Sequence, residues 1–406
     1  MANNLLTISM ITREAIELFV NSNMFIKNID KQYDSEFGKA NAKIGSQLRI
    51  RLPNDYIVRH GPAVSLQDTS EQQTVLTMAT QDGIDVNFST ADLLLSLDNF
   101  SDRILLPMMN NLAGDVASTI MNNTALALCN VVANKDGNNN IQLPTSQTYL
   151  RAQALLTLNS TPMVNHKIIN DPIQEADVVQ SLSGLLNPAS AISDQYYEGT
   201  MYKALGATWF SDQTVIKHTT GTFTTGTVSG ALQTGPTLTI AAAGGTILVG
   251  DLFTIAGVNA VNRVTKLTTG PLRQFVCTVA VAAGGVSLAL YPSIIPAVGG
   301  NAVQYQTVDA SPADGAVITP YFNASVTYNQ SFRYAPQAFT MATGDLPLPA
   351  NKTVARHKYD NVSMRSITDY MIGTDQEITR LDVLFGSLTV RGEWGVVVPA
   401  PGLNLQ

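Results

Sequence analysis

From Ser9 to about Phe25 the apolar residues Met10, Ile11, Ala15, Ile16, Leu18, Phe19 and Val20 fall on one broad stripe at helical spacing, predicting an amphipathic helix that needs a surface to lie against. A polar stretch, Lys31 to Gly45, separates it from QLRIRLP, where the period changes to two. There Leu48, Ile50 and Leu52 alternate with Arg49 and Arg51, a half-buried strand with a basic outer face. Pro53 to Ser70 reads as loop, with His60-Gly61-Pro62 as its turn signal. Strands are predicted again at Thr74 to Thr80 and Ile84 to Phe88, with Asp82-Gly83 as a hairpin turn between them. So long a loop is unusual inside a compact domain and usually acts outside it.

The clearest helical pattern follows. Leu105, Met108, Met109, Leu112, Val116 and Ile120 keep i, i+3, i+4, i+7 spacing, with Asp102 as cap and Pro107 in the first turn. Running from Pro107 to about Ala133, such a helix would be roughly 40 Å long, ended by Gly137 and the Asn run 138 to 140. Residues 147 to 217 mix helix and strand: HKIIN is a short buried strand, and Asp171-Pro172 starts a helix with Asp as N-cap and Pro at the first helical position. QEADVVQSLSGLL continues that helix, and ALGATWFSDQ returns to extended or turn structure.

At about Thr220 the composition breaks. Residues 221 to 330 hold six charged side chains, Asp251, Arg263, Lys266, Arg273, Asp309 and Asp314, although the whole chain of 406 residues has 55. Short β-prone runs (TLTIA, DLFTIAG, QFVCTVAV, VSLALYP) alternate with glycine turns, the spacing of a small sandwich or barrel. Mixed helix and strand precede this stretch and appear again after it, which makes it an inserted domain. The tail, through LTVRGEWGVVV, reads as further strands.

The length predicts two or three folded units, since one core stops growing well below it. Net charge is -7 and no Lys/Arg-rich run occurs, which argues against a surface that grips nucleic acid. Cys129 and Cys277 lie far apart in apolar contexts and are expected as buried free thiols. The first residues lack a basic segment followed by a long apolar one, and no apolar run reaches the roughly 18 residues of a membrane span, so folding in a cytoplasm is expected.

Candidate chemistry is sparse. His60, His166, His218 and His357 show no metal-site spacing and read as structural or surface groups. Phosphate-loop, nucleophile-elbow and dinucleotide signatures are absent. Asp171 and Glu175 suit the positive end of the helix that begins at Pro172, and Asp177 turns to another face, so capping plus a solvated face accounts for this acidic group. The Met108, Met109 and Met121 face reads as adaptable core. Arg49, Arg51, Arg59 and Glu71 surround the loop at 46 to 80, either as a solvated face or as an arm that docks on another subunit.

The order of elements, together with GSQLRIRLP, PMMNNLAGDVASTIMNNTALAL, HKIINDPIQEADVV continuing to YYEGTMYKALGATWFSDQ, GDLFTIAGV and TDQEITRLDVLFGSLTVRGEWGVVVPA, resembles the major capsid (coat) protein of tailed double-stranded-DNA bacteriophages. More narrowly it looks like the short-tailed-phage coat proteins that carry an inserted β-barrel. The resemblance implies an α+β chain with the tailed-phage and herpesvirus capsid fold. It divides into an N-terminal arm (1–37), an extended loop (38–80), a peripheral domain with the long helix (81–140), an axial domain (141–220), the inserted β-barrel (221–330), an axial return (331–350) and peripheral strands with the C-terminus (351–406).

It further implies a non-enzymatic shell protein, without cofactor or metal, that assembles into hexamers and pentamers around phage double-stranded DNA. Assembly would take place in the host bacterial cytoplasm, with a separate scaffolding protein and a portal protein as partners and no membrane. On this reading Arg49, Arg51, Arg59 and Glu71 serve contacts between subunits, and Asp251, Arg263 and Lys266 serve contacts between adjacent insertions. Lys39 and Lys43 lie near the loop, but no partner for a covalent crosslink is identifiable. A secreted or surface-layer β protein, or a hydrolase with dispersed site residues, are the rival readings. The missing leader and the long helix count against the first.

Overall fold

The computed structural model describes residues 8–33, 47–59, 61–64, 66, 71–89, 104–181, 203–297, 303–350, 352–373 and 376–402. Contacts divide the chain into two units: Met1–Arg51, Gln73–Ile120 and Phe339–Leu388 form one, and Leu52–Gln72, Met121–Ala338 and Thr389–Gln406 the other. His60, Lys39, Lys43, Asp102, the LSGLL end of the predicted helix after Pro172, the YYEGTMY stretch and the join between arm and extended loop lie outside the described residues.

In the first unit the helix Ile8–Ser22 buries Thr12, Ala15, Ile16, Phe19 and Val20 and packs on strands Thr353–Tyr359 and Val362–Met371. Asn23 ends it and starts the short helix Met24–Lys27, its side chain accepting from the Phe25 and Ile26 amides at 2.8 and 3.1 Å. The sheet beneath runs Asp30–Tyr33, Phe339–Gly344, Gln376–Thr389, Val362–Met371, Thr353–Tyr359, with Thr80–Ser89 also paired to Gln376–Thr389.

Here the predicted hairpin at Asp82-Gly83 is corrected: both residues lie inside the continuous strand Thr80–Ser89, opposite Val383 and Asp382. A Cβ on Gly83 would sit 2.5 Å from the Leu381 carbonyl oxygen and 2.5 Å from Asp382 Oδ1. The glycine therefore serves close strand approach rather than a turn.

The long helix is Leu106–Thr124, about 28 Å rather than 40 Å. Met109, Leu112, Ala113, Val116, Ala117, Ile120 and Met121 are buried along it. Its apolar pattern continues past Thr124, but distant strands take over its last carbonyls: Thr389 Oγ1 donates to Thr124 O at 2.8 Å and Gln330 Nε2 to Ala125 O at 3.0 Å. The chain tightens into a 3-10 turn at Ala125–Ala127, and Asn130–Val131 then runs parallel to the strand Gly395–Pro401.

In the second unit a seven-stranded sheet runs Asn130–Val131, Gly395–Pro401, Thr327–Tyr334, Lys167–Asn170, Ala207–Ser211, Lys203–Ala204, with Lys217–Thr219 also on Thr327–Tyr334. Helix Ser146–Leu158, opened by a Thr145/Thr148 capping box, buries Tyr149, Ala152 and Leu156 against Ile168, Trp209, Val396 and Val398. Helix Pro172–Ser181 adds Val178. Asp171 caps it by accepting from the Ile173 amide at 2.9 Å. Glu175, expected at the positive end of this helix, lies in its first turn and is buried. The last strand, Gly395–Pro401, belongs to this sheet, whereas Gln376–Thr389 lies, as far as Leu388, in the first unit. A 3-10 turn, Gly392–Trp394, redirects the chain, and a Cβ on Gly392 would lie 2.5 Å from the Ala127 oxygen.

The charge-poor stretch folds as a six-stranded antiparallel sheet in the order Gly226–Thr227, Val317–Pro320, Leu252–Val261, Thr268–Cys277, Ser287–Ile294, Gly235–Thr239. Its two end strands are joined in turn. Ala241 N donates to Thr227 O at 2.8 Å and Ser229 N to Thr239 O at 3.1 Å, so the sheet closes on itself and leaves no edge there. Phe253, Ile255, Phe275, Leu288 and Ile318 fill its own core.

Candidate functional site

Among the described residues no group of three or more His, Cys, Asp and Glu could hold a metal ion, and no helix is long and apolar enough to cross a membrane. His166, His218 and His357 lie apart, hydrogen-bonded to Pro162 O, Asp251 Oδ1 and Ser9 Oγ respectively. Cys129 and Cys277 are buried free thiols, pushed up to about 12 by burial. The features that bear on function are an arm and the insertion.

The arm begins as an antiparallel ribbon, Gln47–Arg51 with Gln73–Thr77. Its period of two does what the sequence indicated: Leu48 and Ile50 turn onto Leu76, Met78 and Ala342, while Arg49 and Arg51 are exposed. Beyond it the loop carries Tyr56, Val58, Val64 and Leu66, exposed by 60% to 92%. Arg59 is exposed and donates to Ala63 O at 3.0 Å and to Gly61 O, which curls the loop. Glu71 is exposed where the ribbon resumes. Large apolar side chains held out on a loop mark an interaction surface more than a stable isolated one.

Each of the six charged side chains of residues 221–330 is bonded inside the same chain. Asp251 is buried: Oδ1 meets His218 Nε2 at 2.9 Å, and Oδ2 accepts from the Gly221 and Leu248 amides at 3.0 and 2.8 Å. Asp309 accepts from Asn259 N and Nδ2, both at 2.8 Å, and Asp314 from Gly230 N at 2.7 Å. Arg263 meets Asp55 at 2.6 Å and Glu393 at 3.7 Å. Arg273, buried, meets Glu393 at 2.8 Å and donates to Asn159 Oδ1 at 3.2 Å. Lys266 Nζ donates to Gln304 O at 2.5 Å, and burial holds its ammonium below the usual lysine range.

So the expected group divides. Arg49 and Arg51 lie on the ribbon and Arg59 and Glu71 along the loop, whereas Arg263 and Lys266 share the turn after the strand Leu252–Val261 and Asp251 lies at the other end of that strand, each of the three with an intrachain partner. Sequence reading missed Asp55, His218 and Glu393 as partners. All three come from distant positions in the chain, and no local pattern marks them.

The chain matches the model of the family "P22 coat protein - gene protein 5" over residues 1–399 and belongs to that family. It is a phage major capsid protein, with the tailed-phage capsid fold and a place in the virion shell. No curated protein matches the chain. Among solved structures it is similar to the capsid of Ralstonia phage GP4 (7% identity, 94% of this chain and 91% of that one, TM-score 0.46). It is also similar to the capsid of the cyanophage P-SCSP1u (10%, 92% and 87%, 0.44). Against the I-domain of the CUS-3 coat protein it is 31% identical over 24% of this chain and 96% of that one, with a TM-score of 0.20.

Proposed function

We propose that the subunit forms hexamers and pentamers that close into an icosahedral shell around double-stranded DNA. It performs no reaction, assembles in the bacterial cytoplasm, and works with a separate scaffolding protein and a portal. The observation that carries this reading is the arm: its ribbon is anchored by Leu48 and Ile50 on the body, and its loop exposes Tyr56, Val58, Val64 and Leu66. Such side chains gain most when buried on a neighbour, at roughly 25 cal/mol per Å² of apolar surface. Heterologous contacts of this kind close into rings. Arg49, Arg51, Arg59 and Glu71 would set register at the rim of that contact, where charges tune specificity and rate more than affinity. A wall of net charge -7 without basic runs leaves packed DNA free to slide.

Electron microscopy of purified protein, with and without scaffolding protein, tests the reading. Wild type should give shells or open tubes. Arg49→Glu with Arg51→Glu should leave a folded subunit whose assembly rate falls by roughly tenfold or more, as expected when like charges meet at a rim. Fibres, flat lattices or a persistent monomer from wild type would sink it.

A further inference from the structure

We propose that the insertion acts as a latch that sets the direction of the extended loop, by gripping its root at Asn54 and Asp55. The inference rests on the shell reading for its consequence, but its geometry stands apart. The loop leaves the ribbon after Leu52, whose amide bonds Gln72 O at 2.9 Å. The next three residues are each held by another part of the chain. Arg391 Nη2 donates to Pro53 O at 3.1 Å, Tyr305 OH to Asn54 Oδ1 at 3.2 Å, and Arg263 Nε to Asp55 Oδ2 at 2.6 Å. Two of the three donors belong to the insertion.

Arg263 is itself prepared for this task. It sits in the tight turn after the strand Leu252–Val261, where Asn262 Oδ1 accepts from the Val264 and Thr265 amides at 2.9 and 3.1 Å. Lys266 closes the turn at φ +57°, its amide on Asn262 O at 2.9 Å. Glu393 supports Arg263 from behind and is shared with Arg273. The Asp55 and Arg263 side chains are about four-fifths buried, at 22% and 21% exposure, so solvent and salt screen the pair less than an open surface pair. Just past the grip come Tyr56 and Val58, the first exposed apolar residues of the loop. A fixed root converts a floppy arm into one already aimed, so less freedom is lost when the loop docks.

Because both native cysteines are buried, single exposed cysteines can carry spin labels. Val58→Cys and Val286→Cys, both exposed positions, give a loop-to-insertion distance in the unassembled full-length subunit by pulsed electron resonance. The expected result is a narrow distribution in this background, at least a doubling of its width on adding Asp55→Asn, and a narrow distribution again with Asp55→Glu. Assembly with scaffolding protein should slow about tenfold in Asp55→Asn, following the loss of correctly aimed arms, with the circular dichroism of the subunit unchanged. A distribution that stays narrow in Asp55→Asn overturns the latch. Broadening without any change in assembly overturns its role in aiming the arm. The distance arm is read on unassembled protein, so a failure of wild type to form shells would count against the shell reading and leave the latch to be judged separately.

Discussion

Removing the Asp251 carboxylate would strand the Gly221 and Leu248 amides and the ring nitrogen of buried His218 at the point where the chain enters the insertion. Asp251→Ala is expected to cost about 3 kcal/mol, the range for breaking a buried charged hydrogen-bond group, measured by equilibrium urea unfolding of the subunit. His166 supplies a pH dependence. Its ring is buried, with Nε2 on Pro162 O at 2.8 Å and Nδ1 facing Arg333 Nη2 at 3.4 Å. Burial, together with the Arg333 charge, holds its pKa below the ordinary 6.5, against the opposing pull of the Pro162 hydrogen bond. The unfolded chain therefore binds the extra proton first: this contribution is complete above about 6.5 and is lost as pH falls from there toward the folded value. His166→Gln should flatten the decline in stability between pH 7 and 5, and an unchanged slope would refute the assignment.

At the scale of elements, Gly83→Ala should destabilise the first unit by about 1–3 kcal/mol, because the added methyl meets backbone and carboxylate oxygens 2.5 Å away. The same residue shows where sequence reading stops. Asp-Gly is a good turn pair, but the local preference yields to a partner strand that lies some 300 positions away in sequence. The long helix failed in a like manner: its stripe was legible, its end was not, because Gln330 and Thr389 decide it. Period-two alternation in QLRIRLP and the Asp171-Pro172 start were legible since each is a local signal, carried by neighbouring residues. The β-rich character of residues 221–330 was visible through their missing charges and short β-prone runs, whereas the partner of each remaining charge was not. The core of residues 221–330 is also testable: Phe275→Ala, at a fully buried site stacked 5.9 Å from Phe253, should cost about 3–5 kcal/mol, read by equilibrium urea unfolding.

For the molecule as a whole, net charge -7 makes like subunits repel, and on the proposed reading the exposed apolar side chains of the loop are what draws them together. Raising salt from about 0.05 M to about 0.3 M shortens the screening length well below 10 Å and should speed assembly, followed by light scattering. Slower assembly in salt would mean that the arm docks chiefly through its arginines. The insertion adds a property of another kind. The strands that lead in and out of it, Lys217–Thr219 and Thr327–Tyr334, are antiparallel neighbours, with Thr219 opposite Thr327 and their hydroxyls 2.8 Å apart. Two cut ends so close can be rejoined by a linker of a few residues, since paired positions lie roughly 5 Å apart. The shell plan could thus acquire, shed or exchange this cassette in one genetic step, and a foreign module with equally close termini could be grafted in its place.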